Sequence, residues 1–495
     1  MKSTGFTTRK LAAAGAVTLL AIAMSVLNAQ APAGGSGRGG RGGGGGGRGG
    51  GLGGALFTAV DVNNDGSVTR DELKSALDAW YTSADTTKSG SINQHQLTAH
   101  LIPVINKANP SDVQAMMTAL PVTPGAKPAR ARKVLVFGNA AGFVHSSIPL
   151  AAKTVEALGN QGKLWTTDVS HDPADINTAN LKQYDAIFLD STTGCFLDDP
   201  KDKAATDARR AALLDFVRGG KGIAGIHAAT DSYHSDCTST GGGGGSSTPL
   251  QLAALLMTQG DKDGDMTLSR QEMATLADNW FDKLDTDNTG KIGQADFTTR
   301  FTASVMPVPA GGANFGGGGF GGRGGSGGGR GGGRGGSGGG RGAGGEPTPI
   351  LQWPEFNKLI GGYFKFHWSD PQEITVKIDD PKSPLTAMFH GDAFVIHDET
   401  YTFAQDSFSR KNVHVLTSID YDKMSDTDKG KEQNPRTDRD YALSYIHREG
   451  QGRVFYEGHG HNERVYANTP MLEHVRAGIQ YALGDLKADD SPSLR

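Results

Sequence analysis

Asp61, Asn63 and Asp65 place three side-chain oxygens at alternate positions, and Glu72 follows where a carboxylate can bind through both of its oxygens. Between them Ser67 offers its backbone carbonyl and Thr69 acts through a water. Gly66 permits a sharp turn, and Val68 is apolar, as a short strand pairing two such loops requires. Calcium is a hard cation that takes about six to eight oxygens, and this spacing supplies them. An acidic turn would not need Gly66, Val68 and Glu72 in register.

The pattern recurs. Residues 285–296 supply Asp285, Asp287, Thr289, the Lys291 carbonyl and Asp296, with Gly290 at the turn. The shorter Asp296 binds through one oxygen, which weakens calcium relative to magnesium. Residues 261–272 supply Asp261, Asp263, Asp265, Thr267, Ser269 and Glu272, but Met266 replaces the turn glycine and strain is expected there. Residues 85–96 are degenerate, with Asp85, Thr87 and Ser89 present and Gln96 in place of the final carboxylate. That loop reads as structural, paired with 61–72. The expectation is about three calcium ions, at the loops starting at 61, 261 and 285. The spacers Leu73–Ala84 and Met273–Leu284 each fit one helix of about 18 Å. Leu73, Leu77 and Trp80 give the first an apolar face; Leu276, Trp280 and Leu284 do so for the second. The arrangement resembles the compact tandem EF-hands of exported bacterial proteins, as two small all-α pairs at 55–105 and 249–305.

A second set of chemically capable residues is His145, His227, His367, Asp398, Glu399, His447 and His461. Each falls at or near the end of an expected strand. Lys133–Gly138, Tyr184–Asp190 and Gly222–His227 read as buried strands, alternating with helices at 147–158 and 205–218, so a parallel sheet with helices on both faces is expected. Ligands of such sheets bind beyond the carboxyl ends of the strands. A lone histidine of this kind is ordinarily a packed one; together they suggest a shared pocket. Three histidines with an open position would suit zinc or another divalent metal. His459 stands beside His461, and only one of the two need face the pocket. His95, His100, His171, His234, His390, His414 and His474 read as structural.

Gly142–Pro149, Thr192-Thr193-Gly194 and Gly225–Asp231 resemble segments of the ThuA (trehalose utilisation) family. So do Gly361–His367, the run Asp398-Glu399-Thr400-Tyr401, Tyr445–His447, Gly452–Tyr456 and Gly460-His461. The match covers 131–237 and 347–487 in order. The resemblance implies a discontinuous, flavodoxin-like α/β sandwich similar to class I glutamine amidotransferases, and a link to catabolism of sugars or keto-sugars. It places His227 where amidotransferases carry a nucleophilic cysteine, so thiolate attack is unavailable and His227 serves as base, metal ligand or hydrogen-bond partner. A sugar-processing hydrolase, lyase or isomerase fits. The rival reading is a non-catalytic module that binds carbohydrate or a surface partner under calcium control.

Most of the 73 glycines fall in tethers, chiefly at 32–54 and 310–346, which also hold arginines. The net charge is −4, and the folded parts are more acidic still once the basic tethers are set aside, which argues against nucleic acid as partner. Residues 1–31 read as a cleavable export signal, with Lys2, Arg9 and Lys10 before an apolar run, implying a periplasmic or extracellular bacterial protein with no membrane span after cleavage. Cys195 and Cys237 are expected to form a disulfide. The inserted pair is expected to sit loosely near the pocket and to be dispensable to the α/β fold.

Overall fold

The computed structural model describes residues 51–63, 65–105, 107–199, 202–234, 248–306 and 352–494. The expected signal, most of both long tethers and Cys237 lie outside them. Among the described residues no helix is long and apolar enough to cross a membrane.

The described chain opens with α1 (Gly51–Val60), β1 (Ser67–Thr69), α2 (Arg70–Ala84), β2 (Ser91–Ile92), α3 (Gln94–Ile105) and α4 (Pro110–Thr118). The first part of the sheet follows as β3 (Lys133–Phe137), α5 (Ile148–Gln161), β4 (Thr166–Ser170), α6 (Thr178–Leu181), β5 (Ala186–Asp190), α7 (Lys203–Arg218) and β6 (Gly222–Ile226). The inserted segment comprises α8 (Thr248–Gly260), β7 (Leu268–Ser269), α9 (Arg270–Leu284), β8 (Lys291–Gly293) and α10 (Gln294–Arg300). The chain then returns through α11 (Pro354–Ile360), β9 (Phe364–Trp368), β10 (Glu373–Ile378), β11 (Phe394–His397) and β12 (Thr400–Phe403). It closes with β13 (His414–Ile419), α12 (Asp426–Lys429), β14 (Ala442–Glu449), β15 (Gly452–Glu457) and α13 (Thr469–Leu483).

Nine strands form one mixed sheet in the order β11-β10-β13-β14-β15-β6-β5-β3-β4. The five from β15 to β4 are parallel, and both pieces of the α/β domain contribute to them, since β15 pairs with β6. Alternation along the strands divides two apolar layers. Leu135, Ile187 and Val454 pack with Leu213 of α7 and Phe356 of α11. Val134, Phe188 and Phe455 pack with Val155 of α5, Ile479 of α13 and Met116 of α4. Helix α4 thus belongs to the α/β domain, although it precedes the expected boundary at 131. Helix α1 likewise starts at Gly51, inside the stretch read as tether, and buries Leu52.

The calcium-type loops pair differently from the sequence expectation. The 61 loop pairs with the 285 loop, Val68 opposite Ile292, and the 85 loop pairs with the 261 loop, Ile92 opposite Leu268. The reason is geometric. Helix α2 is shared by the 61 and 85 loops and spans 15 residues, so it holds them about 22 Å apart. Loops at opposite ends of one rod cannot share a strand pair; each must find its partner in the other segment. Helices α2 and α9 accordingly pack side by side with near two-fold equivalence. Arg70 pairs with Asp278 and Asp282 and covers the Phe281 ring, while Arg270 pairs with Asp78 and covers Tyr81. The segments share one core that includes Leu73, Trp80, Leu256, Trp280, Phe297 and Phe301.

Candidate functional site

In the 61 and 261 loops the closing glutamate also caps the helix that follows. Glu72 caps α2 by accepting from Thr69 N at 2.9 Å through Oε2, which leaves Oε1 buried without a hydrogen bond. Glu272 caps α9 in the same way, accepting from Ser269 N at 2.8 Å through Oε2, but its Oε1 accepts from Lys262 N at 2.9 Å; the carboxylates of Asp261, Asp263 and Asp265 bring ligand atoms within 4.8 Å of one another. Met266 does adopt the left-handed turn, at φ 62°. In the 85 loop Gln96 Oε1 accepts from Asn93 N at 3.0 Å, an amide acting as cap only. The 285 loop holds an internal cation: Arg300 lies 3.3 Å from Asp287 and 3.4 Å from Asp296.

At the carboxyl edge of the parallel strands, His145, His227, Glu399 and His461 converge, their ligand atoms all within 4.8 Å of one another. His227 directly follows β6 and turns into the helical turn His227–Thr230 at φ 45°, a left-handed backbone rarely adopted by a non-glycine residue. Tyr456 OH holds its carbonyl at 2.6 Å. Its Nδ1–H donates to Gly458 O at 3.0 Å, so the Nε2 lone pair faces the cluster, buried and without a hydrogen bond, 3.6 Å from Glu399 Oε1. A backbone acceptor fixing the far nitrogen is the usual arrangement of a metal-bound imidazole. His461 Nδ1 lies 3.4 Å from Glu399 Oε1, and half-exposed His367 has Nδ1 3.1 Å from Oε2. His145 meets His227 and His461 edge to face at centroid distances of 4.8 and 5.1 Å.

The electrostatics keep two of the imidazoles neutral. Burial, followed by His461, lowers His227 to about 3, and burial followed by His227 holds His145 well below its usual range. Burial opposes charge on His461 and Glu399 as well, but their mutual contact outweighs it, raising the imidazole and lowering the carboxylate.

Of the other expected residues, Asp398 orients rather than joins the cluster. Its carboxylate accepts from the amides of Gly460, His461 and Asn462 at 2.7, 3.2 and 2.9 Å, which sets the loop carrying His461. His459 turns the other way, onto buried Glu457 at 2.7 Å. His447 is not part of the group. Strand β14 runs antiparallel to β15, with His447 opposite Val454 and Ser444 opposite Glu457, so its C-terminal end lies toward the opposite edge of the sheet. There His447 lines a separate cavity of about 510 Å³ with Tyr363, Lys358 and Lys411. Two aromatic neighbours were not singled out from sequence: Tyr401, 4.3 Å from the His227 ring, and half-buried Phe143, 4.8 Å from His145. Both stand inside the motif runs quoted above, which was the available signal.

The trehalose utilisation (ThuA) family model matches residues 133–318 and 332–482, more than half of the chain. The chain belongs to the ThuA family. An EF-hand model matches residues 54–77, around the first loop, and supports calcium binding. Among solved structures, a ThuA-like protein from Bacteroides uniformis is 16% identical at TM-score 0.39, covering 75% of this chain and 100% of that one. A ThuA-like protein from Parabacteroides merdae is 12% identical at TM-score 0.36, covering 73% and 95%. A cytoplasmic protein from Salmonella typhimurium is 10% identical at TM-score 0.31, covering 72% and 100%. No curated protein matches. The ThuA domain here carries the His/Glu cluster, and the insertion interrupts it between β6 and α11.

Proposed function

We propose that this is a calcium-binding ThuA-family enzyme that uses a divalent metal, zinc or a similar ion, to act on a sugar or keto-sugar. The carrying observation is the convergence of His145, His227, Glu399 and His461 at the carboxyl edge of the sheet. Nitrogen and carboxylate donors in this number suit a catalytic metal with a position left for substrate. Such an ion would polarise a carbonyl oxygen. His367, half-exposed on the other oxygen of Glu399, is placed to exchange a proton with a carbon beside that carbonyl. Half-buried Phe143 and Phe364 offer apolar faces for the sugar ring. Metal analysis of the purified protein should find a stoichiometric transition metal, and keto-glucosides should turn over only when it is present. Sugar binding without turnover under every divalent metal tried would favour the non-catalytic binding module instead.

Calcium is assigned to the 61 and 261 loops first, with the 285 loop filling last because calcium must displace Arg300. Calorimetry should lose one tight site in Glu72→Gln, while Arg300→Gln should tighten the weakest site several-fold. An unchanged isotherm in both variants would remove this assignment. We also read the protein as exported, on the strength of its first 31 residues. Cell fractionation tests this.

A further inference from the structure

His227 and Glu399 adjoin strand ends and the His461 loop is held by the Asp398 carboxylate, but His145 sits on the stretch between β3 and α5, outside any helix or strand. Its positioning therefore depends on what packs against that stretch. On one side Thr193 binds it, donating to Phe143 O at 2.8 Å and accepting from Gly142 N at 3.1 Å. On the other side the packing comes from the helical domain. Ile102 of α3 and Leu250 of α8 form a separate apolar cluster with Ala140, Val144 and Ile148, residues that bracket His145. Ile102, Val144 and Ile148 are all buried. Two turns earlier on α3, His95 Nε2 accepts from Asn139 Nδ2 at 2.9 Å, and the same amide donates to Phe196 O at 2.7 Å. Burial, followed by the charge of Arg209, keeps His95 neutral, lowered to about 4, as an acceptor must be.

The two helices that make this contact are those governed by the inner loop pair. Helix α3 leaves the 85 loop, α8 enters the 261 loop, and the two loops are joined through Ser91–Ser269 and Ile92–Leu268. The 85 loop has lost its final carboxylate, and His95 within it touches the ThuA domain. The 261 loop has kept its ligands, and Glu272 ties the start of that loop to α9 by accepting from Lys262 N at 2.9 Å. A cation held between Asp261 and Glu272 fixes the angle at which α8 meets α9, and with it the place of Leu250.

We propose that the helical domain is a calcium-dependent support for the His/Glu centre, in which Ile102, Leu250 and His95 position His145 and calcium in the 261 loop raises the affinity of the centre for its metal. This rests on the metal reading given above. Coupling between two sites of one protein commonly amounts to a factor of about 5 to 150, and it is reciprocal.

Cobalt(II) serves as the probe, because a site built from imidazoles and a carboxylate gives it a visible band that all-oxygen loops do not match in strength. Full-length protein freed of metal is titrated with cobalt, with and without calcium, and the His227→Ala signal is subtracted. The expected result is a cobalt affinity about tenfold higher with calcium. Glu272→Gln should bind cobalt at the calcium-free level under both conditions. Ile102→Ala should do the same while still binding calcium, which separates a lost support from a lost calcium site. His95→Gln is the milder second variant if Ile102→Ala proves unstable, and it should show a reduced calcium effect. Equal cobalt affinity with and without calcium in the unaltered protein would overturn the coupling and leave the metal reading intact. No cobalt band under either condition would overturn the metal reading itself, and the coupling with it.

Discussion

His227→Ala should retain the sheet and lose both the bound metal and the activity. The imidazole presents a buried lone pair to the cluster while its other nitrogen is committed to Gly458 O, so no other atom of the residue can replace it. The expected fall in turnover is about a thousandfold, within the range that a positioned electrophilic or acid–base group supplies. Far-UV circular dichroism should be unchanged, since the side chain fills no large apolar gap. The left-handed backbone at this position is strained for any residue with a Cβ, so alanine adds little new backbone cost. Glu399→Gln is the companion variant. It keeps the shape but removes the anion shared by His227, His367 and His461. Full metal content in purified His227→Ala would sink the assignment of His227 as a ligand.

Removing residues 238–346 alone should leave the N-terminal helices without a fold, whereas removing them together with 51–105 should leave a folded α/β domain. Leu256, Trp280, Phe297 and Phe301 of the insertion lie in one core with Leu73, Leu77 and Trp80. Burying each such side chain contributes about 2 kcal/mol. Losing four of them removes more than the total stability of about 5 kcal/mol at the low end for small domains. The single deletion should aggregate or show reduced helicity, and the double deletion should be soluble with the ThuA sheet intact. A soluble, fully helical single-deletion protein would contradict the shared core. The insertion is thus not the loosely placed bead suggested by its glycine-rich tethers. Its position is set by its partner segment, which no tether composition reveals.

Much of the local architecture was legible in the sequence. The oxygen spacing at 61–72 and 261–272 named the loops, and the buried runs at 133–137, 186–190 and 222–226 named the parallel strands. The crossed pairing was implicit in a spacer too long to bring its own two loops together, but only pairing across segments makes that visible. The His447 assignment failed for a different reason. A strand's direction in a mixed sheet is a tertiary property, and β14 has the same local pattern whether it runs up or down. The choice between His459 and His461 turned on how the loop is set by three backbone amides donating to Asp398, 62 to 64 positions away.

The pairing of Arg70 with Asp278, residues 208 positions apart, has a consequence for biosynthesis. The first three helices leave the ribosome long before the strand pairs and apolar partners that complete them exist. At about 5–20 residues per second the delay is of the order of ten to forty seconds. Through that interval Leu73, Leu77 and Trp80 have only α1 and α3 to pack against and lack the partners that the insertion supplies, while β3 through β6 can already be made and begin to associate. The protein is therefore assembled from the inside outward in chain order, its earliest segment being among the last to mature, and any holding factor that shields nascent apolar helices should improve its yield more than one that acts on the sheet.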